Sequence, residues 1–245
     1  MLLWILGFTL LGSLGAIFCA GLFLTFPHSV RKLLTPSLMS FATGTLLAAA
    51  FLGMIPAALE LADGYQVSAS VLAGIILFFV VEKLILWRHC RDRDCDPHER
   101  AGPLILIGDA VHNFTDGVVI AAAFLTSVPL GIATAVAIIA HEIPQEVSDF
   151  AILLESGFER KRALLLNSLA SLTAIPGALI AYFWLAQVSA AVPYVLAISA
   201  SSFIYIAAAD LIPTLQRQHN PASSVRQFIM IIIGIAIIGW VKNRA

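Results

Sequence analysis

Long apolar runs separated by short polar connectors make up most of the chain. One membrane-spanning helix needs about 20 apolar residues. The pattern predicts eight spans, at 2–26, 37–59, 67–87, 102–127, 130–155, 163–186, 191–214 and 224–241. The composition agrees, because 12% of the residues are charged and 60% are hydrophobic, whereas about a quarter of a soluble domain is charged. We therefore predict an all-α integral membrane protein, with residues 1–245 as a single transmembrane domain.

The first apolar run is interpreted as a span, because it lacks the basic start of a signal peptide and is too long for its core. Basic residues then indicate the orientation. Two Lys or Arg lie in the first connector, five in and around the third, three in the fifth and two flanking the seventh, which is twelve of the fourteen. Cytoplasmic loops carry the excess of Lys and Arg, so both termini should be non-cytoplasmic. Since no connector is large, we expect a bacterial inner membrane.

The third connector, at about 88–101, is the longest and would be a cytoplasmic loop. It contains His89, Cys90, Cys95 and His98, which are residue types that bind zinc. The alternative is a solvated loop of mixed charge. The three cysteines of the chain are an odd number and indicate no disulfide framework.

A faint internal repeat links the second and seventh spans. The segments AAAFLGMIP at 48–56 and YIAAADLIP at 205–213 both end in Ile-Pro. Such traces are typical of the inverted repeats of transporters. Alone the signal is weak, because alanine-rich helices match by chance.

Polar residues interrupt the fourth and fifth spans, which a tight turn at 127–129 joins. They are Asp109, His112, Asn113 and Asp116 in the fourth span, and His141, Glu142, Gln145, Glu146 and Asp149 in the fifth. No Lys or Arg lies between Arg100 and Arg160, and an Asp in mid-membrane costs about 2.5–3.5 kcal/mol on insertion scales. Spacings of three and four residues put these side chains on common helix faces. The pattern therefore predicts a pocket of nitrogen and oxygen ligands for a divalent cation.

Pro144 should free the carbonyl of Ala140 and kink the fifth span. A freed carbonyl in the membrane must lie beside a cavity in the protein interior, which the neighbouring polar residues fit. Two alternatives stay open for these motifs: interhelical hydrogen bonds between polar side chains, or acids that share protons at a structural kink. Asp149 and Asp210 either line an approach path or lie hydrated near the membrane interface.

The motifs HNFTDG at 112–117, HEIPQE at 141–146 and SDFAILL at 148–154 resemble the ZIP family of divalent-metal transporters, in its HEIPHE-type branch. The resemblance implies eight helices in a three-two-three arrangement, and a binuclear metal site between helices four and five. It also implies movement of zinc or similar ions toward the cytoplasm by sliding of one helix bundle against another. By motif position, the main site would contain His112, Asp116, His141 and Gln145, and the second site would contain Asn113, Glu142 and Glu146.

The chain departs from the family pattern at three places. Gln145 stands where the fifth-helix motif usually has a second His or Glu, and Gly53 stands near a position where many relatives carry a His. The sixth helix offers no carboxylate at 172–176. These departures leave the second metal position open.

We expect a transporter of divalent metal ions, with zinc first and iron, manganese, cobalt and cadmium as alternatives. An intramembrane zinc peptidase would need H-E-x-x-H, in which the Glu is the general base, and Gln145 replaces the second His. A metal-sensing membrane protein without transport is a further alternative. The expected partners are the metal ion and the lipid bilayer, not nucleic acid, and a homodimer is left open.

The basic asymmetry makes the orientation testable. In a background with its native cysteines replaced by serine, Lys161→Cys should react with a membrane-impermeant thiol reagent only from the cytoplasmic side. Gly64→Cys should react only from the opposite side. Labelling of both positions from one side would contradict the eight-span orientation.

Overall fold

The computed structural model describes residues 1–89, 97–185, 187–217 and 221–244, and this part of the chain contains helices and no strand. The α-helices are α1 (Leu2–Leu24), α2 (His28–Ala48), α3 (Ile55–Leu61), α4 (Gly64–His89), α5 (Pro97–Thr126), α6 (Val128–Glu155), α7 (Arg160–Ser171), α8 (Ala174–Leu185), α9 (Val192–Tyr205), α10 (Ile212–Gln216) and α11 (Pro221–Arg244). Two π-helical segments, π1 (Ala49–Met54) and π2 (Ile206–Leu211), and a 3₁₀ turn at Ser189–Ala191 complete them.

Within the described residues, eight helical runs are long and apolar enough to cross a membrane. They are Leu2–Leu24, His28–Leu61, Gly64–Val81, Ile105–Thr126, Val128–Leu154, Arg160–Leu185, Ser189–Gln216 and Pro221–Lys242. The predicted all-α membrane protein with eight spans is therefore confirmed. The proposed zinc-binding loop residues Cys90 and Cys95 lie outside the described residues.

Two span boundaries show how local chemistry sets helix ends. The helix of the second span begins at His28 rather than at 37. Hydropathy marked only its apolar part, whereas the helix also includes the polar residues of the first turns. Between the fourth and fifth spans only Ser127 is non-helical, and its hydroxyl accepts a hydrogen bond from the backbone N–H of Leu130 at 3.3 Å. Pro129 occupies the first turn of α6, where a missing N–H costs nothing. The predicted tight turn is confirmed.

The faint internal repeat corresponds to a repeated local structure. Segments π1 and π2 each contain six residues, and each is followed directly by Ile-Pro. Proline lacks the N–H that would bond to the carbonyl four residues earlier, which for Pro56 is Leu52. The ammonium of Lys242, on the last span, donates to that carbonyl of Leu52. The two halves of the chain thus repeat a helix irregularity at corresponding spans.

Glycines allow several pairs of spans to pack backbone against backbone. A Cβ atom at Gly117 would overlap the carbonyl oxygen of Ala174, and one at Gly177 would overlap that of Phe114, so the fourth and sixth spans are in direct contact. In the same way, a Cβ at Gly44 would overlap the carbonyl of Ile231, which joins the second and eighth spans.

Two further pairs complete the arrangement. The third span packs on the seventh at Gly74, where a Cβ would overlap the hydroxyl of Ser201. The first packs on the fifth, where Gly12 faces Ile138 and Ile139. Suppose that the first, second and third spans are exchanged with the sixth, seventh and eighth, and the fourth with the fifth. Each of the four packed pairs then becomes another of these four pairs. This is the symmetry of a three-two-three arrangement, with the fourth and fifth spans between two related groups.

The close approach at Gly117 predicts a specific loss of stability. Gly117→Ala should lower the melting temperature of the detergent-purified protein by roughly 5 °C or more, since overpacking against backbone costs about 1–3 kcal/mol. The matched control is Gly21→Ala, where an added Cβ meets nothing within 4 Å. Equal melting temperatures for the two variants would contradict the backbone contact.

Candidate metal centre

The tight turn brings the polar residues of the fourth and fifth spans to the same depth. His112 lies fifteen residues before Ser127, and His141 lies fourteen residues after it. At a rise of 1.5 Å per residue, both lie about 22 Å from the turn. Because the two helices run antiparallel side by side, residues equally far from the turn face each other.

Four side chains meet at this level: His112, Asp116, His141 and Glu142. Each offers one ligand atom, and these atoms all lie within 4.8 Å of one another. The Nε2 atoms of the two imidazoles are 3.1 Å apart. The Nε2 atom of His112 lies 3.3 Å from Oε1 of Glu142 and 3.7 Å from Oδ2 of Asp116. The corresponding distances from Nε2 of His141 are 3.6 Å and 3.5 Å.

The hydrogen bond of His141 identifies the nitrogen that can bind a metal. Its Nδ1 lies 3.1 Å from the carbonyl oxygen of Ala137. A carbonyl only accepts, so Nδ1 carries the proton and Nε2 keeps its lone pair. That lone pair is directed toward the other three ligand atoms. A backbone carbonyl that holds the remote ring nitrogen is the usual support of a metal-bound histidine.

Three oxygen atoms of the cluster are buried without a hydrogen-bond partner: Oδ2 of Asp116 and both carboxylate oxygens of Glu142. Buried, unpaired carboxylates are costly, and a cation would pair with all three. Two nitrogens and two carboxylates form a donor set suited to zinc. At bond lengths of about 2.0–2.2 Å, opposite ligands are at most about 4.4 Å apart, so the four residues need only a small contraction around an ion.

The other predicted ligands, Asn113, Gln145 and Glu146, are not among these four residues. Asn113 and Gln145 both donate their side-chain amides to Oδ1 of Asp109, at 2.9 Å and 3.3 Å. The carboxylate of Glu146 accepts hydrogen bonds from Asn167 and Ser171. The resemblance implied Gln145 in the main site and Glu142 in the second. Here Glu142 lies with the two histidines, and the amide of Gln145 contacts Asp109.

Asn167 and Ser171 are site neighbours that the sequence reading did not identify. The sixth span has no carboxylate at 172–176, and the residues that reach the site come just before that segment. Both are buried. A buried Asn in an apolar span needs a hydrogen-bond partner, and this requirement is a signal that could have found it.

A cavity of about 820 Å³ reaches the centre from one side. Its walls include Asp109, His112, His141, Pro144, Gln145, Asp149 and Asp210. The wall residues Thr35, Ile152 and Thr214 lie near the ends of spans that adjoin the basic connectors. The cavity therefore opens toward the side that the Lys/Arg distribution predicts to be cytoplasmic.

The four clustered residues differ in their access to this cavity. The side chain of His112 is 22% exposed, whereas those of Asp116, His141 and Glu142 are at most 3% exposed. On the opposite side the site is covered by apolar residues. The ring of Phe203 packs edge-on against His141 at 6.1 Å between centroids, and Met54 and Phe124 are fully buried. The centre is thus open on one side and closed on the other.

The fold defines a polytopic helical membrane protein with a buried cluster of imidazoles and carboxylates, reached by a one-sided cavity. Comparison with known proteins assigns the family. Residues 87–242 match the family model described as "ZIP Zinc transporter", and the chain belongs to this family.

Several relatives carry the name of zinc transporters. The zinc transporter ZIP13 of Pongo abelii is 33% identical over 82% of this chain, and zipt-7.2 of Caenorhabditis elegans is 31% identical over 82%. The human zinc transporter ZIP4 is 40% identical over 53% of this chain. The matches cover 65%, 56% and 20% of those three proteins, respectively. The chain therefore spans about two thirds or less of the length of these relatives.

The geometry predicts which substitution removes a ligand. His112→Ala should weaken zinc binding by roughly 100-fold or more, because losing a ligand costs at least as much as losing a supporting hydrogen bond. Asp149→Asn, in the same cavity but outside the cluster, should change the affinity by less than about fivefold. Isothermal titration of the detergent-purified proteins measures both, and equal affinities would show that His112 does not contact the ion.

Proposed function

We propose that this chain transports divalent metal ions, zinc first, toward the cytoplasm through the cluster of His112, Asp116, His141 and Glu142. One observation carries the proposal. Two imidazole nitrogens and two carboxylates converge inside the membrane, within 4.8 Å, without a basic partner in their spans. The names of the relatives agree with zinc as cargo.

Mixed ligation suits a transported ion. Imidazole nitrogens favour zinc, and carboxylates also accept iron, manganese, cobalt and cadmium. A transport site must bind strongly enough to replace the water around the ion, and still release it. The access of His112 to the cavity provides an exit, because the ligand nearest to water is the first that water can replace.

The one-sided cavity, which opens where the span ends adjoin basic connectors, supports the proposal that the ion is released to the cytoplasm. In this conformation the ion would exchange with the cytoplasm, while apolar side chains cover the outer side. Transport requires the reverse arrangement as well. We propose that the fourth, fifth, sixth and first spans slide as one set against the second, third, seventh and eighth.

The packing supports these two sets. Within the first set the fourth and sixth spans, and within the second set the second and eighth spans, are joined at glycines where backbone contacts backbone. Between the sets, contacts use side chains: Leu130 lies against Gly53, where a Cβ would come within 2.9 Å of it, and Phe203 packs on His141. Side-chain contacts can be exchanged during sliding, whereas interlocked backbones cannot separate without loss of packing.

A peptidase has less support. Its general base would be Glu142, but that carboxylate lies within 3.3–3.6 Å of both imidazole nitrogens, in the position of a ligand. A sensor that binds without transport would need the same access to the centre, and flux measurements separate it from a carrier. Three expectations stay predictions: that residues 1–245 form a single domain, that both termini face outward, and the homodimer that the sequence left open. A bacterial inner membrane also stays a prediction, without support from the relatives, which are animal proteins.

Uptake into proteoliposomes tests the proposal directly. The parent chain should take up zinc, and His112→Ala and Asp116→Ala should each reduce uptake at least tenfold at equal protein level, because each removes a ligand. Glu142→Gln should alter flux, with no proteolysis by any variant. Zinc uptake by His112→Ala at the parent rate, or metal-dependent proteolysis by the parent, would contradict the proposal.

Gln145 provides a test of selectivity. Gln145→His adds an imidazole one turn after His141, and imidazole suits zinc better than manganese. The zinc-to-manganese uptake ratio at low metal should therefore rise, with a slower maximal rate because release is harder. Competition uptake measures this ratio, and an unchanged ratio would show that residue 145 does not reach the transported ion. The variant contains the peptidase motif H-E-x-x-H, so an assay for proteolysis, which should be absent, serves as its control.

A further inference from the structure

The cavity beside the histidine centre is much larger than a metal ion requires. Its volume is about 820 Å³, whereas one water molecule occupies about 30 Å³ of liquid, so an ion with its first shell of waters would fill a small part of it. Cavities of roughly 300–1,000 Å³ with apolar walls and a few converging polar groups are typical sites of small organic molecules. The cavity therefore fits a small organic molecule as well as an ion.

The charges in the cavity wall determine the sign of such a ligand. Asp109, Asp149 and Asp210 line the cavity, and among its described wall residues there is no Lys or Arg. Asp149 comes eight residues after His141 on α6, which is about 12 Å along the helix axis at a rise of about 1.5 Å per residue. Acids therefore extend from the metal centre well toward the open side, and they select a cationic ligand.

Asp149 and Asp210 lie at a similar depth. The fifth and seventh spans run in the same direction, and each acid comes six residues before the last helical residue of its span, Glu155 or Gln216. Asp149 is only 7% exposed, and within the described residues no hydrogen-bond donor or basic side chain contacts its carboxylate. A buried carboxylate without donors is costly. A ligand with N–H groups would supply the donors that this carboxylate lacks.

Apolar side chains surround this level of the cavity. Ile105 on α5 lies twenty-two residues before Ser127, and Asp149 lies twenty-two residues after it, so both are equally far from the turn. Ile105, Ile152 and Leu211 line the cavity. Apart from the two histidines, no aromatic ring lines the described wall, and aromatic rings are the usual partners of quaternary ammonium ions. The wall therefore suits an ammonium that keeps its N–H donors and carries an apolar body.

We propose that this cavity binds a primary organic ammonium ion, whose nitrogen donates to Asp149 and Asp210 and whose apolar body packs on Ile105, Ile152 and Leu211. The three N–H groups of an ammonium are enough for both carboxylates, and such charge-assisted bonds fix the nitrogen. Each methylene that leaves water for the apolar wall adds up to about fourfold in affinity. The site goes beyond the proposed function, since it requires neither a bound metal nor transport. An amine held there lies between the metal centre and the open side, and would obstruct the exit of the ion.

Isothermal titration of the metal-free, detergent-purified chain tests the ligand class, with the heats of empty micelles subtracted. Benzylamine should bind. Benzyl alcohol and benzoate keep the ring but lack the positive charge, and benzyltrimethylammonium keeps the charge but lacks the N–H donors. All three should bind about tenfold more weakly or worse, because each loses the charge-assisted hydrogen bonds. No binding of benzylamine, or equally tight binding of any of the other three, would overturn the proposal.

Variants locate the site within the cavity. Asp149→Asn keeps the shape of the side chain but removes its charge, and should weaken benzylamine binding by about tenfold or more. Asp210→Asn is an independent second variant with the same expected result. The matched control is Glu60→Gln, which removes an exposed acid near the end of α3, outside the cavity wall, and should leave the affinity unchanged.

A zinc titration of the same Asp149→Asn sample reports on its fold, since its zinc affinity is expected to change by less than about fivefold. Parent-like benzylamine affinity in either aspartate variant, or an equal loss in Glu60→Gln, would overturn the amine site. Benzylamine binding by a chain that transports no zinc would support the amine site and contradict only the proposed function.

Discussion

Carboxylates buried in the membrane without basic partners are the constraint on which this structure depends. Asp109, Asp116, Glu142, Glu146 and Asp149 lie in two adjacent spans, and the chain has no Lys or Arg between residues 100 and 160. Hydrogen bonds from Asn113, Gln145, Asn167 and Ser171 satisfy part of this group. Oxygens of Asp109, Asp116 and Glu142 stay unpartnered. A divalent cation is the partner that matches both their charge and their spacing.

The fold serves this cluster in two ways. A connector of one residue sets the fourth and fifth spans antiparallel, so that His112 and His141 meet at equal depth. Glycines then let the fourth and sixth spans, and the second and eighth, approach until their backbones touch. In the described part of the chain, the cavity that reaches the site opens where the span ends adjoin basic connectors. A site that is sealed on one side and open on the other is what a carrier needs in one of its two states.

The two π-helical segments are also related to the site. Both occur in spans of the set that packs around the fourth and fifth, and π2 contributes Ile206, Asp210 and Leu211 to the cavity wall. Irregular helix is tolerated in a membrane only where other groups satisfy the freed carbonyls. Lys242 does so for Leu52 in π1. Helix irregularities of this kind are frequent at functional sites, and here one of them borders the path to the centre.

The sequence by itself determined the elements and the chemistry. Apolar runs of about twenty residues have one solution in a bilayer, a helix, so eight spans followed from length and hydropathy alone. Motif spacing put His112 and Asp116 on one helix face, and the absence of basic residues pointed to a cation. The repeated Ile-Pro ends coincide with π-helical segments in both the second and the seventh spans.

Tertiary structure decided which of these residues meet, because contacts between helices depend on rotation and depth that spacing along one helix does not specify. Glu142 rather than Gln145 meets the two imidazoles, although helical spacing alone places Gln145, four residues after His141, closer to the His141 face than Glu142, which is rotated from it by about 100°. Gln145 instead bonds to Asp109, 36 residues earlier. Asn167 and Ser171 reach Glu146 only because the sixth span packs beside the fourth at Gly117 and Gly177. The open side of the cavity is likewise a property of the packing between helices, which no single segment contains.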